Sequence, residues 1–211
     1  MCTRARSLTN LMKLLLSFAC LTPCAMVTTS SIALAAPPEE ERLLQSIRQA
    51  GVVILIRHSA TDPGVGDPPG FKLADCATQR NLSESGREQA RRLGQWFAAN
   101  GIRPTGVRVS PWCRTRETAA LAFGRSENWA ALSNLLGDRS NQDEPARQVQ
   151  AAIAGVGSTA VDVLVSHGVS INAFIGVYLQ QGEMVVVRPA GPTGIAAGKP
   201  QVEVVGRLLV P

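Results

Sequence analysis

The run Val52–Ile56 is short, uninterrupted in its apolar character and rich in β-branched residues, which is the pattern of a strand covered on both faces. Val161–Val165 reads as a second such strand. Strands of this kind need helices on both sides of the sheet, and the intervening sequence supplies helical patterns. Glu39–Ala50 places Leu43, Leu44 and Ile47 at helical spacing before Gly51. A second helix is predicted from an N-cap at Ser83 to Asn100, with Ala90, Leu93 and Phe97 inward and Gly101 as its stop. Val107–Val109 is a predicted strand, and Ser110-Pro111 reads as the cap and first residue of a helix reaching Phe123. Gln148–Ala154 is a weaker helix, Val169–Leu179 a helix apolar nearly all round, and Met184–Val187 and Val202–Leu209 are closing strands. This alternation predicts a three-layer α/β/α sandwich with a mainly parallel central sheet. Ligands on such sheets bind beyond the carboxyl ends of the strands, near helix N-termini.

Of the 211 residues, 45% are apolar and 18% charged, enough for one domain with a buried core. The formal charge is +5, but Arg4, Arg6 and Lys13 fall in the first 36 residues, which hold no acid; 18 basic against 16 acidic residues then leave +2. With 4% aromatics, such a chain lacks the footprint of a nucleic-acid binder. The N-terminus has a basic segment to Lys13, an apolar run Leu14–Val27, a polar Thr28–Ser31, and Ala33-Leu34-Ala35 before Ala36. Residues 1–35 are therefore expected to be an export signal, cleaved near Ala35 or Ala36, leaving 36–211 as one secreted or periplasmic domain. An uncleaved anchor is the alternative, although Pro23 and the Thr/Ser cluster make a poor spanning helix. No stable membrane insertion of residues 36–211 is expected.

Cys2, Cys20 and Cys24 lie in the signal, leaving Cys76 and Cys113. In an oxidising compartment these two are expected to form one disulfide; two separate buried thiols are the alternative. Neither cysteine belongs to a zinc-ligand pattern. The two histidines, His58 and His167, each follow directly on one of the two buried strands, so both imidazoles fall at the expected ligand edge. Arg114 and Arg116 fall in the first turns of a helix, where the macrodipole disfavours cations. Arg116 is expected to pair with Glu117 or a nearby acid, whereas Arg114 and Arg57 offer forked donors to a tetrahedral oxyanion.

With these motifs in view, the chain resembles the histidine phosphatase superfamily, in its phosphoglycerate-mutase-like branch. Arg57-His58 resembles the Arg-His-Gly signature, Leu82-Ser83 through Gly86 to Gln89-Ala90 the helix-start motif, Ser110-Pro111 with Arg114 the second arginine motif, and Ser166-His167-Gly168 the second histidine motif. The resemblance implies a phosphoglycerate-mutase-like fold, His58 as the nucleophile that takes a phosphoryl group, and Arg57, Arg114 and His167 as holders of its oxygens. It implies no metal or cofactor, and a small phosphorylated substrate as partner. Two departures stand out. Ser59 replaces the glycine after the nucleophile, adding a Cβ and a hydroxyl near the phosphate. The leaving-group acid has no clear counterpart, Asp138 being the nearest candidate, with Glu127, Asp143 and Glu144 behind it. The 24 residues Ser59–Leu82, rich in Pro and Gly, are expected to form a lid or pocket wall, from which Arg80 and Thr61 would contact substrate and Asp62 would either line the pocket or start a turn. The expected activity is that of an exported, metal-independent phosphomonoesterase. A phosphate-binding module without turnover, or a phosphomutase, are the alternatives.

Overall fold

The computed structural model describes residues 38–64, 66–136, 142–190 and 202–211, all within the second of the two units into which the chain divides, Met1–Ala35 and Ala36–Pro211. Six strands, β1 (Val52–Arg57), β2 (Gly106–Val109), β3 (Glu127–Asn128), β4 (Val161–Ser166), β5 (Glu183–Pro189) and β6 (Val202–Leu209), form one sheet in the order β3-β2-β4-β1-β5-β6. The first four in that order are mutually parallel; β5 pairs antiparallel with β1, and β6 pairs antiparallel with β5 at the edge. The sheet is thus mixed, with its parallel part made of the expected strands β1, β2 and β4 and the unforeseen β3.

Alternate residues of β1 point into two different cores. Val52, Ile54 and Ile56 pack with Leu43, Leu44 and Ile47 of α1 (Pro38–Arg48), Leu93 and Phe97 of α2 (Glu84–Ala99) and Ala119 of α3 (Cys113–Phe123). Val53 and Leu55 pack instead with Val149 and Ile153 of α4 (Asp143–Ala154) and Ile171 and Phe174 of α5 (Gly168–Ile175). A strand apolar at every position therefore stabilises both outer layers, which is why the run Val52–Ile56 reads as it does.

Several elements differ from the sequence expectation. α4 starts at Asp143 rather than Gln148, because Asp143, Glu144 and Pro145 all suit a first helical turn. α5 stops at Ile175 rather than Leu179, because Gly176 takes a left-handed conformation and its N–H closes on the Asn172 carbonyl. α3 begins at Cys113, not Pro111, because the Ser110 hydroxyl is engaged elsewhere and Trp112 occupies the cap without a side-chain bond. The two-residue edge strand β3 has no apolar pattern to announce it.

The described residues of 59–82 are strapped down by bonds to the rest of the fold. Cys76 and Cys113 form the expected disulfide, with Cα atoms 5.7 Å apart. Gln79 Oε1 accepts the Cys113 N–H at 3.0 Å, capping α3 from the loop. At the loop's start, α2 passes so close to Ala60 that a Cβ on Gly86 would lie 1.8 Å from the Ala60 carbonyl oxygen. The Ser83 N–H bonds that same oxygen at 3.1 Å, and Gln89 Oε1 accepts the Ala60 N–H at 3.0 Å. The Ser83, Gly86 and Gln89 motif is thus a clamp on the chain leaving His58.

Candidate active site

Sheet register assembles the site. Arg57 of β1 pairs with Ser166 of β4, and Val109 of β2 pairs with Val165, so His58, His167 and Ser110 are carried off the ends of three adjacent strands. The His58 N–H bonds the Ser166 carbonyl at 3.0 Å, extending the ladder by one residue. Gly168 leaves room for Arg57: a Cβ there would lie 3.2 Å from Arg57 Nη1. Arg57 Nη1 in turn donates to the Leu179 carbonyl at 2.9 Å.

A cavity of about 130 Å³ opens at this edge, lined by Arg57, His58, Arg80, Arg114, His167 and Gly168, with Asn134, Leu136, Val169 and Tyr178 around them. His58 is buried, and its Nδ1 lies 2.8 Å from the Ser59 carbonyl oxygen. Because a carbonyl can only accept, Nδ1 carries the proton and Nε2 keeps its lone pair. Burial pushes the His58 pKa down to about 3, against the raising effect of the Ser59 bond and with the charges of Arg114, Arg57 and Arg80 adding to the fall. His167 also lies well below the usual histidine value, first through burial and then through His58, Arg114, Arg57 and Arg80. Its Nε2 is 2.8 Å from Ser110 Oγ, while its Nδ1 is buried with no partner among the described residues. The Ser110 hydroxyl can donate to or accept from Nε2; if it donates, the neutral ring carries its proton on Nδ1 and has a donor to offer.

The arginines show the same surplus. Arg57, Arg80 and Arg114 each have a buried Nε without a hydrogen-bond partner among the described residues. Burial first, and then mutual repulsion, disfavours charge on Arg57 and Arg80. One carboxylate offsets them: Asp67 pairs with Arg114 at 2.7 Å, side chains 3% and 1% exposed respectively. Burial acts to raise the Asp67 pKa, but the bonds and charge of Arg114, with the Arg80 N–H and Trp112, hold it below the usual carboxylate value. Among the described residues, three guanidiniums and one carboxylate leave two positive charges, together with three unpartnered guanidinium N–H groups and the unpartnered Nδ1 of His167, which is an anion site by chemistry. Among the described residues, no cluster of three metal-ligating side chains occurs.

His58, Arg57, Arg114, His167 and Arg80 are therefore brought together around one cavity. Thr61 is not among its lining residues; it pairs with Leu82 as a β-bridge and its hydroxyl accepts from Gln181 Nε2. Asp62 is exposed at a neighbouring surface depression. Ser59 is buried, its N–H bonded to Thr118 Oγ1, and does not line the cavity. The expected division between the helix arginines is reversed. Arg114 takes the carboxylate partner, whereas Arg116 lies beside the sulfurs of Cys76 and Cys113, because Glu117 is taken by Arg87 at 2.7 Å. Asp138 lies outside the described residues. Glu127, Asp143 and Glu144 are exposed and none lines the cavity. Sequence reasoning missed Asp67, the Ser110 contact to His167, and Asn134, Leu136 and Tyr178 at the cavity wall.

Residues 53–136, which carry the first histidine, the helix-start and the second arginine motifs at this sheet edge, match the family model of the histidine phosphatase superfamily, branch 1. The second histidine motif lies beyond that segment and is brought in by the pairing of β4 with β1. Among solved structures, the fold is similar to that of the open reading frame Rv3214 from Mycobacterium tuberculosis, with 19% identity, TM-score 0.52, and coverage of 74% of this chain and 96% of that one. It is also similar to the protein histidine phosphatase SixA complexed with tungstate, at 16% identity and TM-score 0.51 over 75% and 96% of the two chains. YhfR from Bacillus stearothermophilus matches at 17% identity and TM-score 0.51 over 74% and 95%. No curated protein matches the sequence.

Proposed function

We propose that this chain is an exported, metal-independent phosphatase that hydrolyses phosphomonoesters through a phosphohistidine on His58. The observation that carries this reading is the locked tautomer of His58, whose Nδ1–H is tied to the Ser59 carbonyl while the ring stays neutral among three guanidiniums. A neutral imidazole with its lone pair on Nε2 is a nucleophile at any ordinary pH. Nε2 attacks phosphorus in line with the leaving oxygen; the P–N bond forms, and the P–O bond breaks with its electron pair on the leaving group. Water then attacks the same phosphorus, the P–N electrons return to Nε2, and inorganic phosphate departs. Arg57, Arg114 and Arg80 and the Nδ1–H of His167 hold the three non-bridging oxygens and offset the charge that spreads over them, the principal requirement of phosphoryl transfer. The surplus of two positive charges suits a dianionic monoester.

The cavity accepts a phosphoryl group and leaves the rest of the substrate at its mouth, beside the exposed Leu136 and Tyr178. With no carboxylate lining the cavity among the described residues, the favoured substrates carry good leaving groups such as aryl oxygens rather than plain alkyl alcohols. Export is supported by the basic, apolar and small-residue order of residues 1–36 and by the Cys76–Cys113 disulfide, a bond that persists in oxidising compartments. The test is hydrolysis by purified protein of aryl phosphates, phosphosugars and phosphoproteins. Release of phosphate, fastest from the aryl esters, is expected. Phosphate binding without turnover on any of them would replace the enzyme by a binding module.

A further inference from the structure

The carboxylate of Asp67 stands behind the guanidinium that the proposed chemistry most needs. It comes from the strapped segment 59–82, 47 residues before its partner. Oδ1 accepts from Arg114 Nη1 at 2.7 Å and from the Arg80 N–H at 3.1 Å; Oδ2 accepts from Arg114 Nη2 at 3.3 Å and from Trp112 Nε1 at 3.0 Å. Arg114 Nη1 also donates to the Arg80 carbonyl at 3.3 Å. The end-on fork of Arg114, formed by its two terminal nitrogens, is thereby fully engaged. Its other edge, Nε–H with the second Nη2 hydrogen, remains, and Nε has no partner among the described residues.

Position distinguishes a support from a plug. Arg114 lines the cavity around His58, but Asp67 does not; it lines the adjoining depression with Gly64, Pro68 and Arg80. The carboxylate thus backs the guanidinium without filling the place of the phosphoryl group. A flexible arginine fixed at one end presents its free edge in one orientation, and bidentate pairing is the interaction that fixes the plane of the fork. Orientation set before the reaction is what makes a donor effective on charge that develops in transfer.

We infer that Asp67 is a positioning residue for phosphoryl transfer, holding Arg114 by its end-on fork so that the Nε edge faces the three oxygens of the phosphoryl group. This rests on the reading of the site given above. The segment 59–82 is then part of the machinery through one carboxylate, braced by Trp112 and by the Arg80 N–H. Loss of that brace leaves Arg114 charged and present but mobile. Transition-state stabilisation therefore falls more than ground-state anion binding, because removal of the Asp67 charge itself favours an anion.

The test uses the purified full chain and its Asp67→Asn variant, with p-nitrophenyl phosphate for turnover, and orthovanadate and inorganic phosphate for binding. Orthovanadate becomes five-coordinate on the nucleophile and reports the transition-state geometry; phosphate reports the ground state. Asp67→Asn is expected to lower kcat and orthovanadate affinity by 30-fold or more while phosphate affinity moves less than threefold. Trp112→Phe, which removes one brace and keeps the charge pair, is expected to show the same split at 3- to 10-fold, and decides the matter if the first variant fails to fold. Unchanged kcat and orthovanadate affinity in folded variants would overturn the inference, as would tighter binding of both anions with faster turnover, the signature of a plug. If the parent protein hydrolyses nothing, the phosphatase reading fails; the vanadate-to-phosphate split of the variants then still decides the role of Asp67.

Discussion

The floor of the cavity, where β1, β2 and β4 end, is buried, whereas the described residues of its wall, 59–82, are mostly exposed, and the two are held in place by different means. The floor inherits its positions from a hydrogen-bonded ladder: Arg57 opposite Ser166 and Val109 opposite Val165 leave His58, His167 and Ser110 little choice of place. Buried side chains of two cores, one on each face of the sheet, support that register. The wall has no such ladder. Its place depends on a disulfide, a buried ion pair and a glutamine cap on α3, each of which one substitution removes. The floor should therefore survive changes that dismantle the wall, and Arg114, which touches both, should be where the two fail together.

Arg114→Ala is the largest expected effect. Loss of a principal oxyanion donor costs on the order of 3 kcal/mol, a hundredfold or more in kcat, and stranding the Asp67 carboxylate costs about 3 kcal/mol or more of stability. Steady-state rates and urea unfolding measure the two losses; a variant within tenfold of the parent in rate would make Arg114 a structural ion-pair partner alone. The double change Cys76→Ser with Cys113→Ser acts on the wall. Opening a cross-link of 37 residues' separation is expected to lower stability by about 3 to 4 kcal/mol in the loop-entropy estimate, with the sheet intact by far-ultraviolet circular dichroism. An unchanged unfolding midpoint would mean that the wall holds without its strap.

Acid should attack the floor instead. The folded pKa of His58 is near 3, against an ordinary 6.5, so between those values the unfolded chain binds a proton that the folded chain refuses. Stability is thus expected to decline progressively as pH falls from about 6.5 toward 3, with His167 acting in the same direction. His58→Phe should flatten that decline, and a decline of equal steepness in the variant would assign it to other groups. The smallest expected effect is that of Ser110→Ala, which frees His167 Nε2 from its 2.8 Å partner. About 1 kcal/mol, or five- to tenfold in kcat, is the usual worth of such a hydrogen bond, and no change would detach His167 orientation from catalysis.

The same contrast explains what was legible in the sequence. The histidines and Arg57 could be placed because a buried strand fixes the residue that follows it, and Ser83 as a helix cap because helix starts have local chemistry, whereas Gly86 and Gln89 were legible only through the family resemblance and their grip on Ala60 only in the fold. Arg114 was legible as an anion-facing cation but not as a paired one. Its partner Asp67 sits between Gly66 and Pro68, where an aspartate looks like a turn former, and no local rule links it to a helix 47 residues later. Ser110 was misread for a related reason: before a proline its hydroxyl fits a helix cap, and the imidazole that claims it arrives from another strand. Local pattern places residues on elements, whereas partners supplied by an irregular segment depend on tertiary closure.

The central claim is that His58 Nε2 takes the phosphoryl group. Rapid mixing with excess p-nitrophenyl phosphate, a denaturing quench at alkaline pH to preserve a P–N bond, and mass analysis of the peptide containing residue 58 would address it directly. The account predicts one phosphate on His58, lost on acid treatment, formed in a burst with one equivalent of p-nitrophenol, and missing from His58→Ala. Turnover in the parent protein with no phosphate on His58 at any quench time, or undiminished turnover in His58→Ala, would contradict it.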